Sequence, residues 1–211
     1  MRKTLTTLLF STSCLLLANT ASAQSSQGYK TSLSSLPTAS VKIDVALSED
    51  MQARAEGLSD GRRSCIGSRR SNSGFACNGY YGQRDLDALT EKLEKWTTSA
   101  LVKKDLNVTD DAETVLKITL VDARNNRPTL NQLRHDTSLS FQSFGLGGAD
   151  IEAELFDASG NSLGTASYAY YDNFFDRFTQ ATGTWTDARH AMKRFSTRVA
   201  KDIASNAVSG A

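Results

Sequence analysis

The chain has 211 residues, 39% of them hydrophobic and 22% charged, and its formal charge of +1 becomes −1 once Arg2 and Lys3 are set aside. That length predicts one domain with a sizeable core, and the near-neutral balance excludes nucleic acid and strongly anionic surfaces as globally favoured partners. Beyond the amino-terminal segment, no apolar run approaches the roughly 20 residues of a membrane span.

Residues 1–23 have the layout of a secretory signal peptide. Met1-Arg2-Lys3 is a basic start, Thr4 to Ala18 is mostly apolar, and Ala21-Ser22-Ala23 places small residues before a cut at Gln24. The expected mature protein is periplasmic or secreted, with no membrane-spanning segment. Lipid anchoring at Cys14 is the alternative. Ser11 stands where lipoprotein signals carry an aliphatic residue, and the apolar run continues through Leu15, Leu16 and Leu17. Cleavage after Ala23 discards Cys14 and leaves Cys65 and Cys77 as the mature cysteines. An even pair in an exported chain reads as a disulfide. Closing a loop of this size is worth on the order of 3 kcal/mol in the chain-entropy model.

Residues 24–40, rich in Ser, Thr and Gln, read as a flexible lead. Val41, Ile43, Val45 and Leu47 alternate with Lys42, Asp44 and Ala46, the pattern of a half-buried strand. Residues 48–57 allow a helical turn or two. Residues 57–82, dense in Gly, Ser, Asn and Arg, read as a long surface loop held by the disulfide. Leu86, Leu89, Leu93, Trp96, Ala100 and Leu101 recur at helical spacing, with Asp85 as the expected cap. Leu116, Ile118 and Leu120 predict a second strong strand, which Arg124 to Pro128 ends. Residues 138–143 suggest a weaker strand. After the break at Gly145, Gly147 and Gly148, residues 149–157 and 163–171 predict a hairpin around Asp157 to Asn161. Ala188, Ala191, Met192, Phe195, Val199 and Ile203 form one face of a closing helix. Arg189, Lys193, Arg194, Arg198 and Lys201 form the other, and 206–211 read as a frayed tail.

The first two strong strands flank a helix and should run parallel through a crossover. The remaining strands fit hairpins. The expected fold is α+β: one mainly antiparallel sheet of four to five strands with two amphipathic helices on one face, forming a single domain over 41–205.

Several clusters are candidate sites. Arg62, Arg63, Arg69, Arg70 and Arg84 crowd in and around the disulfide loop, with no acidic residue between Arg62 and Arg84. Guanidinium forks suit phosphate and carboxylate, so this is a candidate surface for an anion or a protein partner. The alternative is a solvated loop whose arginines pair with acids elsewhere. Tyr168, Tyr170, Tyr171, Phe174, Phe175 and Phe178 gather at the end of the hairpin. Strand alternation sends either Tyr170 or Tyr171 away from the core, so Tyr170, Tyr171 and Phe174 are candidates for an aromatic surface. His135 and Asp136 are adjacent and point apart.

Gly160-Asn161-Ser162-Leu163 and Asp187-Ala188-Arg189-His190 resemble the Gly-Asp-Ser-Leu and Asp-x-x-His blocks of an esterase family. In that family the serine block follows the first strand, and most of the domain separates it from the histidine. Here it falls in a hairpin turn, and Asn161 replaces the aspartate. A Gly-Asn turn and an Asp helix cap account for both blocks without catalysis.

The run from Gly145 to Asp157, the turn Gly160 to Gly164 and the closing Trp185-Thr186-Asp187-Ala188-Arg189 segment resemble the small exported or lipoprotein-type periplasmic domains of unknown function in Gram-negative bacteria. The resemblance covers about residues 85–205. It implies a periplasmic α+β domain and supplies no catalytic residue. These readings lead to a non-enzymatic envelope module with no catalytic site, cofactor or metal. Its expected partner is another envelope protein or an anionic envelope component. A periplasmic hydrolase with a scattered site, and a carrier holding a small apolar ligand between sheet and helices, are the alternatives.

Overall fold

Alternating apolar residues build the strands here, and apolar residues three and four apart build the two long helices. The structure is a computed structural model that describes residues 28–34, 36, 40–57, 74–77, 79–172 and 183–208. In chain order these form β1 (Gly28–Thr31), β2 (Ser40–Leu47), α1 (Glu49–Ala53), a 3-10 turn (Gly74–Cys77), α2 (Gln83–Val102), β3 (Asn107–Val108), β4 (Val115–Arg124), α3 (Leu130–His135), β5 (Gly148–Phe156), β6 (Ser162–Tyr171) and α4 (Thr186–Val208).

The fold is α+β, with one six-stranded sheet in the order β1-β6-β5-β4-β2-β3. The sheet is mixed. β4 pairs with β2 and β2 with β3 in parallel, whereas β1, β6, β5 and β4 form an antiparallel run. Leu116, Ile118 and Leu120 of β4 and Ile151, Ala153 and Leu155 of β5 are buried in one cluster with Leu86, Leu89 and Leu93 of α2 and Met192, Phe195 and Val199 of α4. The two long helices therefore cover one face of the sheet. Between them the Thr97 and Ser196 hydroxyls meet at 2.9 Å; one donates to the other, which in turn donates to a carbonyl of its own helix. The opposite face carries Lys117, Thr119, Glu152, Glu154, Thr165 and Ser167 around a shallow recess of about 430 Å³.

An extra residue at Val121 shapes one end of the sheet. Leu120 sits opposite Ile151, but Asp122 sits opposite Asp150. Such a shift reverses which face the following side chains occupy. Leu120 and Ala123 thus both join the core, while Asp122 and Arg124 turn to the other face.

Four sequence expectations are corrected. The sheet has six strands and mixed pairing, not four to five mainly antiparallel ones. Part of the lead is ordered: β1 pairs with β6, and Leu33 and Leu36 are buried. Backbone pairing with a strand edge outweighs the polar composition there. Residues 138–143 form turns because short polar side chains capture nearby amides. Ser138 donates its amide to Asp136, Ser140 to the Ser143 hydroxyl, and Gln142 to the Ser140 hydroxyl. The start of α2 lies at Gly82, and Asp85, inside the first turn, instead accepts the Trp185 indole N–H at 2.8 Å. Cys65 lies outside the described residues, and with it the Cys65–Cys77 pairing. The expected tail at 206–211 begins inside α4, whose helix runs to Val208.

Candidate functional site

The end of the sheet where β4 gives out is built on buried amides. Asn125, Asn126 and Gln132 are 0%, 1% and 3% exposed, values that require hydrogen-bonded side chains. The Asn125 amide donates to the Gln132 side chain at 2.6 Å and to the Arg127 carbonyl at 2.8 Å. Gln132 in turn donates to the carbonyls of Phe75 and Gly79, and its oxygen accepts the Thr129 amide in a capping box that starts α3. Asn126 donates to Asp187 and accepts the Asp187 backbone amide at 3.0 Å, which locks the first turn of α4 to the end of β4. Gly147 passes so close that an added Cβ would meet the Asn126 side chain at 2.5 Å. Residues 75–76 and 79–82 are thereby held together with segments 125–132, 144–147 and 183–187.

This frame supports a groove of about 810 Å³, lined by Arg84, Asp85, Ala88, residues 127–130, Phe141, Gln142, Gly183 and Thr184. Leu130 is 62% exposed and Phe141 74% exposed. The Arg127 guanidinium stacks on Phe144 at 4.9 Å and donates to the Gln142 carbonyl at 2.8 Å. Arg84 is exposed in the first turn of α2, whose Gly82 cap offers no side-chain acceptor. Two apolar side chains thus stand beside two guanidiniums on a rigid support.

Behind the register shift lies a buried ionic cluster. Arg54, 2% exposed, donates to Asp122 at 2.5 Å and to Asp50 at 3.1 Å. Asp122 also accepts from Arg124 at 3.2 Å and from the Tyr171 hydroxyl at 2.6 Å, and Arg124 lies over the Tyr171 ring at 4.3 Å. Burial opposes the Asp122 charge, but Arg54, Arg124 and the hydroxyl outweigh it and hold its carboxyl below the usual range. Burial, reinforced by the Asp122 charge, raises the phenols of Tyr171 and Tyr81.

The sequence candidates are scattered. Arg62, Arg63, Arg69, Arg70 and Phe174 lie outside the described residues, whereas Arg84 lines the groove. Tyr170 and Tyr171 point to opposite faces. Tyr170 lies toward α4, with His190 stacked at 6.3 Å and Arg194 over it at 5.6 Å, and Tyr171 joins Asp122. Both are half-buried. His135 is exposed and stacks on Tyr80 at 4.5 Å. Ser162 begins β6, and eight residues, roughly 26 Å of strand, separate it from Tyr170 and hence from His190. Asp187 is held by Asn126. The esterase-like blocks therefore do not converge. The face of the sheet toward the two long helices is lined by the Leu, Ile and Phe side chains of the core.

The sequence reading missed Asn125, Asn126, Gln132, Leu130 and Phe141. It took Arg124 to Pro128 only as a break. The capping pattern Thr129-Leu130-Asn131-Gln132 was the one local signal for that corner.

No protein-family model matches the chain, and no curated protein matches it. Among solved structures, the chain is similar to the PelC dodecamer from Paraburkholderia phytofirmans, with 10% identity and a TM-score of 0.41 over 81% of this chain and 96% of that one. It is also similar to the minor lipoprotein from Acinetobacter baumannii, with 11% identity and a TM-score of 0.33 over 78% of this chain and 93% of that one. Likenesses at these scores transfer neither a residue role nor an activity. Among the described residues, no helix is long and apolar enough to cross a membrane.

Proposed function

We propose that the protein is an exported, non-enzymatic module of the cell envelope that binds another envelope component or helps assemble one. The observation that carries this reading is the groove. Exposed large apolar side chains grouped on a rigid support are characteristic of interaction sites. Here Leu130 and Phe141 are flanked by Arg84 and Arg127, which suits a partner presenting an apolar anchor beside an acidic group. Export rests on the basic start, apolar run and Ala21-x-Ala23 pattern of residues 1–23. The proposal includes a Cys65–Cys77 bridge, which would close a loop bearing Arg69 and Arg70, with Arg62 and Arg63 just before it.

The test is site-specific photo-crosslinking in intact envelopes. A crosslinker at Phe141 should give a discrete adduct that Leu130→Ser and Arg127→Glu abolish. The same crosslinker at Lys117, on the open sheet face, should not give it. Equal adducts from both positions, or none from Phe141, would remove the groove as the binding surface.

A further inference from the structure

We propose that the exposed face of α4 binds a linear acidic polysaccharide through successive carboxylates, a surface separate from the groove. His190, Lys193, Arg194, Arg198 and Lys201 are all exposed along this helix. They fall in two rows. His190, Arg194 and Arg198 follow one another at four-residue steps, and Lys193, Thr197 and Lys201 run beside them. Each step advances about 6 Å along the helix. That spacing is of the order of one pyranose unit in an extended chain, so carboxylates of neighbouring uronate units can reach Arg194 and Arg198, with Lys193 and Lys201 beside them.

The first row is positioned by aromatic rings. Arg194 lies over Tyr170 at 5.6 Å, and Arg198 lies over Tyr168 at 5.1 Å and Tyr29 at 5.5 Å. His190 stacks on Tyr170. A guanidinium seated on a ring loses less freedom on binding, and its edge keeps N–H donors for a carboxylate. Two acids of the same helix stand at the ends of the rows: Asp202, one turn beyond Arg198, accepts the Tyr29 hydroxyl at 2.6 Å, and Asp187 is bonded to Asn126. None of Lys193, Arg194, Arg198 or Lys201 forms a salt bridge among the described residues. His190, Lys193, Arg194, Thr197 and Arg198 border a shallow depression of about 660 Å³.

A bilayer is the less suitable anion. Peripheral membrane contact combines charge with apolar insertion. The exposed large hydrophobics among the described residues are Val102, Leu130 and Phe141, none of them on this face.

The experiment titrates the full exported protein with polygalacturonate oligomers of defined length, at low and near-physiological salt. Saturable binding that strengthens up to three or more units and weakens with salt is expected. Methyl-esterified oligomers should not bind. Arg194→Glu with Arg198→Glu should weaken binding about tenfold or more. Arg194→Lys with Arg198→Lys should give an intermediate loss, because lysine keeps the charge but lacks the planar fork. The groove variant Leu130→Ser/Phe141→Ser should bind like the wild type, which keeps this test independent of the groove. Circular dichroism checks folding, and Arg194→Gln/Arg198→Gln replaces the charge reversal if that variant unfolds. Equal binding of esterified oligomers, less than about a twofold effect of charge removal, or preference for phosphatidylglycerol vesicles or a DNA oligonucleotide of matched charge would each overturn the proposal.

Discussion

Replacing Asp122 with asparagine tests the buried ionic cluster with almost no change of shape. The residue is 8% exposed and is the shared acceptor of Arg54, Arg124 and Tyr171. Asparagine keeps one oxygen for the Tyr171 hydroxyl but removes the charge that compensates Arg54, itself 2% exposed. Breaking one side of a buried pair costs about 3–5 kcal/mol. Asp50 still reaches Arg54 at 3.1 Å from a half-exposed position, which places the expected loss at the lower end, about 3 kcal/mol. Denaturant unfolding of the mature protein reads this as a lower midpoint at unchanged slope. In a double-mutant cycle with Arg54→Met, the paired change should cost less than the sum of the single changes by about 2 kcal/mol.

The pH dependence carries its own sign. Asp122 titrates below its usual value when folded, so its contribution is complete above the unfolded value of about 3.9 and is lost as pH falls through the folded one. Asp122→Asn should therefore flatten the acid limb of the stability curve. A loss under about 1 kcal/mol, additive single changes, or an unaltered acid limb would refute the reasoning.

At the alkaline end, burial raises the Tyr171 phenol, so its contribution is complete below the unfolded value of about 10 and is lost as pH rises. Tyr171→Phe should flatten that limb and lower neutral-pH stability by about 1–3 kcal/mol in thermal or denaturant unfolding. Gln132→Ala removes partners of Asn125, Thr129, Phe75 and Gly79 together; a loss of about 2–4 kcal/mol is expected, with faster amide exchange in 75–82 and 125–135. Intact-mass analysis of the exported protein should show Gln24 at its start and a mass two hydrogens below that of the dithiol form. A lipid-bearing Cys14 or two titratable thiols would contradict those assignments.

Local pattern located most of the regular elements, because strand alternation and three- and four-residue helical spacing are written in adjacent residues. Leu116, Ile118 and Leu120, and Ala188 through Ile203, could be assigned a buried side from spacing alone. The parallel pairing of β2 with β4 also followed, since a helix-length connection between neighbouring strands demands a crossover. Short polar runs were read less well. In 24–40 and 138–143 a similar Ser-rich composition led to one strand missed and one strand wrongly expected. Whether such a run pairs with a sheet edge or closes on its own hydroxyls depends on what lies beside it in space.

The candidate sites were still less legible. Asn125 and Asn126 look like loop residues because their partners, Gln132, Asp187 and Gly145, become neighbours only after the chain has folded. Asp122 reads as an interruption in an apolar strand until the extra residue at Val121 turns it toward Arg54 and Tyr171. The basic face of α4 was visible as periodicity, but its tyrosine backing was not, because Tyr29 reaches Arg198 only through the pairing of β1 with β6. Amino-acid order determined which side chains prefer water and which segments are helix or strand. Long-range pairing alone decided which polar groups are buried together and which charged rows are held in place, because the cost of burying an amide or a charge is met only by a partner brought in from elsewhere in the chain.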